Sequence, residues 1–426
     1  MDCLVLQGGR PLTGTVEVSG AKNAALPLMA ATLLAPGVHE LTRVPRLADT
    51  RTMVRVLEAL GAKIQWGGAV MKIDTSTCSS VEAPYELVKT MRASVYVLGP
   101  LLARFGRARV SLPGGCAWGP RPVDLHLKGM EALGATIEID EGYIVAIAPA
   151  AAGGAHGSSL RGTRFTFPIS SVGATGNLVM AAVLARGITV IENAAIEPEI
   201  TQLLEYLVAM GANIEGIGTT RLAIEGVDAL SPANVEVIPD RIEAATYLVG
   251  GAITLGDVSI TRCQPGHLVA SLAALEAMGS RITIDGLTVH LQSAGRPRAA
   301  NVTTAVYPGF ATDMQAQLMA LAAVADGVSE ITDTIYHDRF SHAPELTRMG
   351  ADIRVVDNVA TVHGRSRLKG APVMATDLRA SAALVLAGLA AEGETVVSRI
   401  YHLDRGYENL AAKLATLGAQ VERRPE

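Results

Sequence analysis

Residues 59–64 read ALGAKI, and the phrase returns five times: ALGATI at 132–137, AMGANI at 209–214, AMGSRI at 277–282, RMGADI at 348–353 and TLGAQV at 416–421. The glycines fall about 70 residues apart, the signature of a repeated structural unit, and six such units account for essentially the whole chain. An amphipathic run precedes each phrase, as in TRTMVRVLEALGA and ITQLLEYLVAMGA. Glycine after the last apolar turn is the usual left-handed stop of a helix. The residues behind it alternate as a strand does. A second phrase stands about 25 residues upstream of each: APGVHELTRV, RFGRARVSLP, ARGITVIENA, TLGDVSITRC, ADGVSEITDT and AEGETVVSRI. Again a glycine closes an Ala/Leu-rich helix and a β-branched strand follows. Each unit therefore reads helix, Gly, strand, loop, helix, Gly, strand. The periodicity predicts an α/β protein of six repeats, three to each of two domains. By itself it does not give a function.

The composition agrees with a folded chain. Hydrophobic residues make up 49% of the 426 residues and charged ones 18%, so disorder is excluded and the length suits two or three domains. The net charge of -5 carries no basic footprint of a nucleic-acid binder, although local basic sites for an anionic substrate stay open. Cys3, Cys78, Cys116 and Cys263 form no CxxC pair and are too sparse for a disulfide framework, which points to reduced thiols in a cytosol. The stretch 167–185, FPISSVGATGNLVMAAVLA, is uncharged, but its Pro, Ser, Thr, Asn and Gly residues make it a poor membrane span. The N-terminal MDCLVLQGGR lacks the basic region and long apolar run of a signal peptide. A soluble cytoplasmic protein is expected.

Chemistry gathers at the starts of the upstream helices. They read SGAKNAA (19–25), KTMRAS (89–94), SSVGAT (170–175), PDRIEAA (239–245), ATDMQA (311–316) and ATDLRAS (375–381). Capping accounts for Thr312, Asp313, Thr376, Asp377 and Asp240 without any function. It does not account for Lys22, Arg92, Arg241 and Arg379, because a cation is disfavoured beside the positive end of a helix dipole. Either an anion neutralises both, or the neighbouring aspartates pair with the arginines.

Residues 113–126, PGGCAWGPRPVDLH, follow the strand GRARVSLP and precede the helix VDLHLKGMEAL. Gly114 and Gly115 give this loop freedom, while Pro120 and Pro122 stiffen the segment around Arg121. A mobile thiol beside a fixed guanidinium describes a lid with an acid or nucleophile at its tip. A free cysteine is equally at home as a small buried hydrophobe. Chemistry alone leaves both readings of Cys116 open.

The phrases SGAKNAALP, KTMRAS, PGGCxxGxRPVDLH, SVGAT, NAAxEPEI, PDRIEA, ATDLRASAALVLAG and DRGYENL together resemble the UDP-N-acetylglucosamine 1-carboxyvinyltransferase family, in that family's order, from about residue 7 to 422. The resemblance implies an inside-out α/β barrel, with two domains each built from three helix-and-strand repeats. One would cover roughly 22–238 and the other 1–21 plus 239–426, with the active site in the cleft between them and closure bringing the Cys116 loop over it. It implies transfer of enolpyruvyl from phosphoenolpyruvate to the 3-hydroxyl of UDP-N-acetylglucosamine by addition and elimination, the first committed step of peptidoglycan synthesis. It further implies no cofactor and no metal, no nucleic-acid or membrane partner, and a monomer or weak homo-oligomer.

The same resemblance distributes roles. Lys22, Arg121 and Arg405 would hold the phosphate and carboxylate of phosphoenolpyruvate, with Arg92 and Arg379 nearby. Asp313 would be the general base on the sugar hydroxyl, and Asp377 a second acid/base group. Cys116 would be a general acid, a group needed for product release, and the thiol that fosfomycin alkylates. Asn23 would contact the sugar. Arg121, Pro122, Val123, Asp124 and Leu125 would cradle the uracil, Ser171, Val172 and Gly173 would receive the diphosphate, and Ile335 would line the substrate site. Arg241 and Arg339 are further candidates for the substrate site, or would instead stiffen it through ion pairs.

The chain departs from the family at Trp118 and Pro120 in the loop and at Ile169 near the expected diphosphate. His126 and Trp66 read as structural, and GRPRA at 295–299 as a solvated loop. The shikimate-pathway transferase shares fold and donor, but its Gly/Asn/Thr-rich helix start is absent here. A different uridine nucleotide as acceptor is opposed by Asn23 and Asp313. A non-catalytic anion-binding scaffold is opposed by the joint presence of Lys22, Cys116, Asp313 and Arg405.

Overall fold

The computed structural model describes residues 2–89, 91–112, 123–149 and 159–426. Two compact units emerge, one made of 1–19 with 239–426 and the other of 20–238, so the chain crosses between them twice.

Each unit repeats one motif three times. An apolar helix leads into a strand, a second helix follows, and a hairpin completes a four-stranded sheet, except that in the last repeat Asp2–Gln7 and Gln420–Pro425 take the place of the hairpin. The leading helices of the 20–238 unit are Lys22–Ala31, Leu98–Phe105 and Val172–Ala182. Those of the other unit are Arg241–Ile253, Gln315–Val324 and Leu378–Ala390. They are buried nearly all round, as their Ala/Leu/Val composition requires. The second helices, such as Ala48–Ala59 and Pro198–Ala209, keep one polar face.

Every sheet joins one parallel pair to two antiparallel pairs. In the sheet of Val38–Thr42, the parallel neighbour is Asn234–Glu236 from the far end of the same unit, which closes its three repeats on themselves. The other unit closes with its N-terminal strands. Thr13–Glu17 pairs in parallel with Asp257–Thr261, and Asp2–Gln7 lies between Glu394–Ser398 and Gln420–Pro425.

The glycines that announced the repeat sit where the backbone needs them. Gly61, Gly134, Gly211, Gly279, Gly350 and Gly418 all have positive φ, between 87° and 107°. The upstream set differs in one repeat. Gly37, Gly106, Gly187, Gly327 and Gly393 are left-handed, but in TLGDV the left-handed residue is Leu255, with φ 57°. Gly256 is needed there for another reason: a Cβ would lie 2.0 Å from the carbonyl oxygen of Leu12.

The run GRPRA is a largely exposed loop, as expected, but a tethered one. Arg296 donates to the carbonyls of Val324 and Ala325 and reaches Asp326, so it caps the end of helix Gln315–Val324.

A buried lysine–glutamate contact stands where the chain leaves the first unit. Lys413 Nζ donates to Glu243 Oε1 and to Ser19 Oγ, both at 2.6 Å, and Glu243 Oε2 accepts the Ser19 N–H at 3.0 Å. Burial lifts the Glu243 carboxyl to about 7, against the opposing pull of Lys413. Native Glu243 therefore keeps a proton that the unfolded chain has already released near its ordinary value. Its contribution to stability is fully present below that value and is lost as pH rises through about 7. The loss amounts to about 3 kcal/mol. The stability difference between wild type and Glu243→Gln, measured by urea unfolding, should fall by that amount from about pH 4.5 to 7.5. A flat difference would contradict the burial argument.

Candidate active site

In the unit containing 239–426, Asp377 caps helix Leu378–Ala390. Its Oδ1 accepts the N–H groups of Arg379 and Ala380 at 2.7 and 3.0 Å, and Oδ2 faces the hydroxyls of Ser341 and Thr376. Beside it, burial pushes His342 down to about 4, so the imidazole is neutral at pH 7.

Thr312 and Asp313 do not cap. They lie on the 3-10 turn Thr312–Met314, whose N-cap position is Ala311 and which has no side-chain cap. The Asp313 carboxylate turns instead to two guanidiniums: Arg379 Nη2 donates to Oδ2 at 2.7 Å, and Arg339 Nη1 lies 2.9 Å from Oδ1. The side chains of Arg379 and Arg339 are only 4% and 6% exposed, whereas that of Asp313 is 26% exposed. Burial works against the charge of Arg379, but Asp313, together with Tyr407 and Asp240, more than offsets it and holds the guanidinium well above its ordinary range. Of the two explanations for a cation at a helix start, the aspartate pairing holds for Arg379. Two guanidiniums on one carboxylate favour its ionised form. Asp313 is therefore a hydrogen-bond acceptor with part of its side chain open to solvent.

Behind this pair lies Asp333, which the sequence reading passed over. Its carboxylate is fully buried and accepts four hydrogen bonds: from the hydroxyls of Thr304 (2.8 Å) and Thr312 (2.7 Å), and from the N–H groups of Ile335 (3.0 Å) and Tyr336 (2.9 Å). Thr312 Oγ1 in turn accepts from Arg339 Nη1 at 3.0 Å. Asp333 thus anchors Arg339 through one hydroxyl and holds Ile335 by its backbone. The only hint in the sequence is position: the corresponding residues in LTRV, IENA, ITRC and VSRI are Arg or Asn with positive φ, and ITDT breaks the pattern.

Arg405 ends the 3-10 turn Ile400–Arg405 and is half-buried. Arg241 opens helix Arg241–Ile253 behind the cap Asp240, with its guanidinium carbon 5.6 Å from the ring centre of Tyr307.

In the 20–238 unit, Lys22 is the first residue of its helix. Its Nζ lies 3.4 Å from Asp49 Oδ2, and both side chains are largely buried. Asn23 follows it, exposed. Ser171 caps helix Val172–Ala182 by accepting the Ala174 N–H at 3.3 Å. Val172 and Gly173 form the first turn and leave a helix start suited to an anion. Gly173 is tight: a Cβ there would meet the His126 ring at 3.2 Å. His126 is buried, and its Nδ1 is 3.0 Å from Asn177 Nδ2. The Asn177 amide also accepts from Gly99 N and donates to Val95 O, so it presents a donor to His126. Val123 occupies the N-cap position of helix Asp124–Ala132, and Asp124 pairs with Lys128 at 3.4 Å. Val123 and Leu125 pack against the core.

Cys116, Trp118, Pro120, Arg121 and Pro122 lie outside the described residues, as does the side chain of Arg92, whose backbone opens the 3-10 turn Arg92–Val97. Ile169 is 69% exposed.

Comparison with known proteins bears on both units at once. Residues 6–414 match the family described as EPSP synthase (3-phosphoshikimate 1-carboxyvinyltransferase). A UDP-N-acetylglucosamine 1-carboxyvinyltransferase of Trichlorobacter lovleyi is 55% identical over 423 residues, covering 99% of both chains. The crystal structure of the enolpyruvyl transferase NikO from Streptomyces tendae superposes with a TM-score of 0.86 at 28% identity, covering 99% of this chain and 98% of that one. An EPSP synthase from Acinetobacter baumannii has the same fold, with a TM-score of 0.75 at 18% identity over the full length of both.

Proposed function

The chain belongs to the EPSP synthase family of enolpyruvyl transferases, and from that premise we propose that its two units jointly carry out one transfer. The protein is an enolpyruvyl transferase of peptidoglycan synthesis. It moves the enolpyruvyl group of phosphoenolpyruvate to UDP-N-acetylglucosamine and releases phosphate. The observation that carries the residue assignment is the Asp313 carboxylate, open to solvent and gripped by two buried guanidiniums.

In the addition step the sugar 3-hydroxyl oxygen bonds to C2 of phosphoenolpyruvate while its proton passes to Asp313, and C3 gains a proton. Phosphoenolpyruvate brings its own anionic groups, and Arg405, Lys22 and Arg121 are their ligands in this proposal. Competition by that anion for Arg379 would weaken the hold on Asp313 as the base is needed. In the elimination step C3 gives up a proton, the C2–O bond to phosphate breaks, and the vinyl ether remains on the sugar. Cys116 is proposed as the acid at C3 and as a group for product release, with Asp377 as the second acid/base candidate. The diphosphate is assigned to the start of helix Val172–Ala182, the uracil to Arg121–Leu125, and sugar contacts to Asn23 and Ile335.

The cleft arrangement, the residue roles, the cytoplasmic location and a monomeric or weakly associated state belong to the same proposal. Cys3, Cys78 and Cys263 are buried thiols outside any disulfide, which suits a reducing compartment. No helix among the described residues is long and apolar enough to cross a membrane.

Product analysis tests the acceptor. With phosphoenolpyruvate and UDP-N-acetylglucosamine, proton NMR should show two vinyl protons on a new ether at the sugar 3-oxygen. Shikimate 3-phosphate as acceptor should give none. A vinyl ether on shikimate 3-phosphate, or on no sugar nucleotide at all, would overturn the assignment.

A further inference from the structure

We propose that Tyr407 is a positioning residue for this reaction, its buried hydroxyl fixing the guanidinium that grips Asp313. The inference rests on the reading of Asp313 as base and of Arg405 as an anion ligand. Tyr407 is 3% exposed, and its oxygen lies 3.0 Å from Thr246 Oγ1, 3.2 Å from Gln317 Nε2 and 3.3 Å from Arg379 Nη1.

The proton positions follow from the neighbours. Thr246 donates its single hydroxyl proton to the carbonyl of Ile242 at 2.7 Å. Tyr407 must therefore donate to Thr246. Gln317 Nε2 and Arg379 Nη1 have only protons to offer, so the phenol accepts from both. With one proton given and two accepted, its hydrogen-bonding capacity is filled. Burial raises Tyr407 above the ordinary phenol range, although Arg379 pulls the other way, so the hydroxyl stays neutral.

Arg379 is then held at two points. Nη2 donates to Asp313 and Nη1 to Tyr407, and a planar guanidinium cannot turn without losing one of them. The charged and titratable groups around the pair come from several elements. Arg339 shares Asp313, and Asp333 stands behind Arg339 through Thr312. Asp240 acts on Arg379 from the next helix, and Asp377 opens the helix that Arg379 itself occupies.

Tyr407 also fixes the backbone that carries Arg405, two residues earlier. Its N–H donates to the carbonyl of Leu403 at 2.9 Å and closes the turn Ile400–Arg405. Gly406 between them has no room for a side chain, since a Cβ would come within 2.6 Å of Leu378. One residue thus ties the proposed anion ligand to the proposed base.

Tyr407→Phe keeps the ring and removes the hydroxyl. Its kcat should fall about ten- to a hundredfold, while the KM for UDP-N-acetylglucosamine changes by less than about threefold. The acid limb of its kcat–pH profile should move upward, because a loosened Arg379 stabilises the Asp313 carboxylate less. A wild-type kcat and an unmoved acid limb would overturn the proposal. Should Tyr407→Phe fail to fold, Thr246→Val decides: it removes the acceptor of the Tyr407 proton and should give the same shifts at smaller size, and none would overturn the proposal. Carbon-13 NMR titration of the Asp313 carboxyl reads the same effect without turnover. If the wild type transfers no enolpyruvyl group, the functional reading fails while this titration still tests Tyr407. A higher midpoint in Tyr407→Phe supports the positioning role, and equal midpoints refute it.

Discussion

Asp313→Ala should lower the rate of phosphate release from phosphoenolpyruvate and UDP-N-acetylglucosamine by about a thousandfold, the usual size of a lost general base. It should also destabilise the protein. The carboxylate is the shared partner of Arg339 and Arg379, whose side chains are nearly inaccessible to solvent. Removing it leaves two buried guanidiniums facing each other, at a cost of about 3–5 kcal/mol. Asp313→Asn keeps the shape and one acceptor, so it should recover much of the stability and little of the rate. Steady-state kinetics and thermal unfolding of the two variants separate these effects. Full activity in Asp313→Asn would remove Asp313 from the role of base.

The second large effect is expected at Asp333, away from any proposed substrate contact. Asp333→Ala leaves two hydroxyls and two backbone N–H groups without their acceptor in a site with no solvent access. Unmet donors of this kind cost about 1–3 kcal/mol each, and partial relaxation brings the sum to about 3–5 kcal/mol. For a unit of this size that corresponds to a fall in Tm of roughly 10 °C. Thr312 then no longer has a fixed orientation for Arg339, and kcat should fall on the order of tenfold. Calorimetry and kinetics at a temperature where the variant is folded test both parts. An unchanged Tm would show that the four hydrogen bonds are replaceable.

The two predictions differ in how far the sequence foretells them. The repeat was legible because helix ends need left-handed residues and glycine provides them. All six glycines of the ALGAKI phrase have that conformation. The one departure, at Leu255 and Gly256, is a tertiary effect: the close approach of Leu12 can only be seen once the N-terminal strand is in place. Polar residues at helix starts were legible as a class, but their roles were not. Asp240 and Asp377 cap as expected, and Ser171 caps its helix as well. Asp313 does not, because a 3-10 turn precedes its helix and swings the carboxylate toward arginines 26 and 66 residues away in sequence. Sequence periodicity shows which face is buried, but it is silent on which polar groups meet inside. Gln317 and Thr246 therefore carried no visible signal, Asp333 carried only its place in ITDT, and Tyr407 was noticed only as part of DRGYENL.

The central claim is a sugar-dependent transfer that uses Asp313. The measurement that tests it most directly is steady-state phosphate release from phosphoenolpyruvate, with and without UDP-N-acetylglucosamine, on wild type and Asp313→Ala. Release only with the sugar nucleotide, and lost in the variant, is the predicted result. Release without the acceptor, or equal release from the variant, would contradict the account.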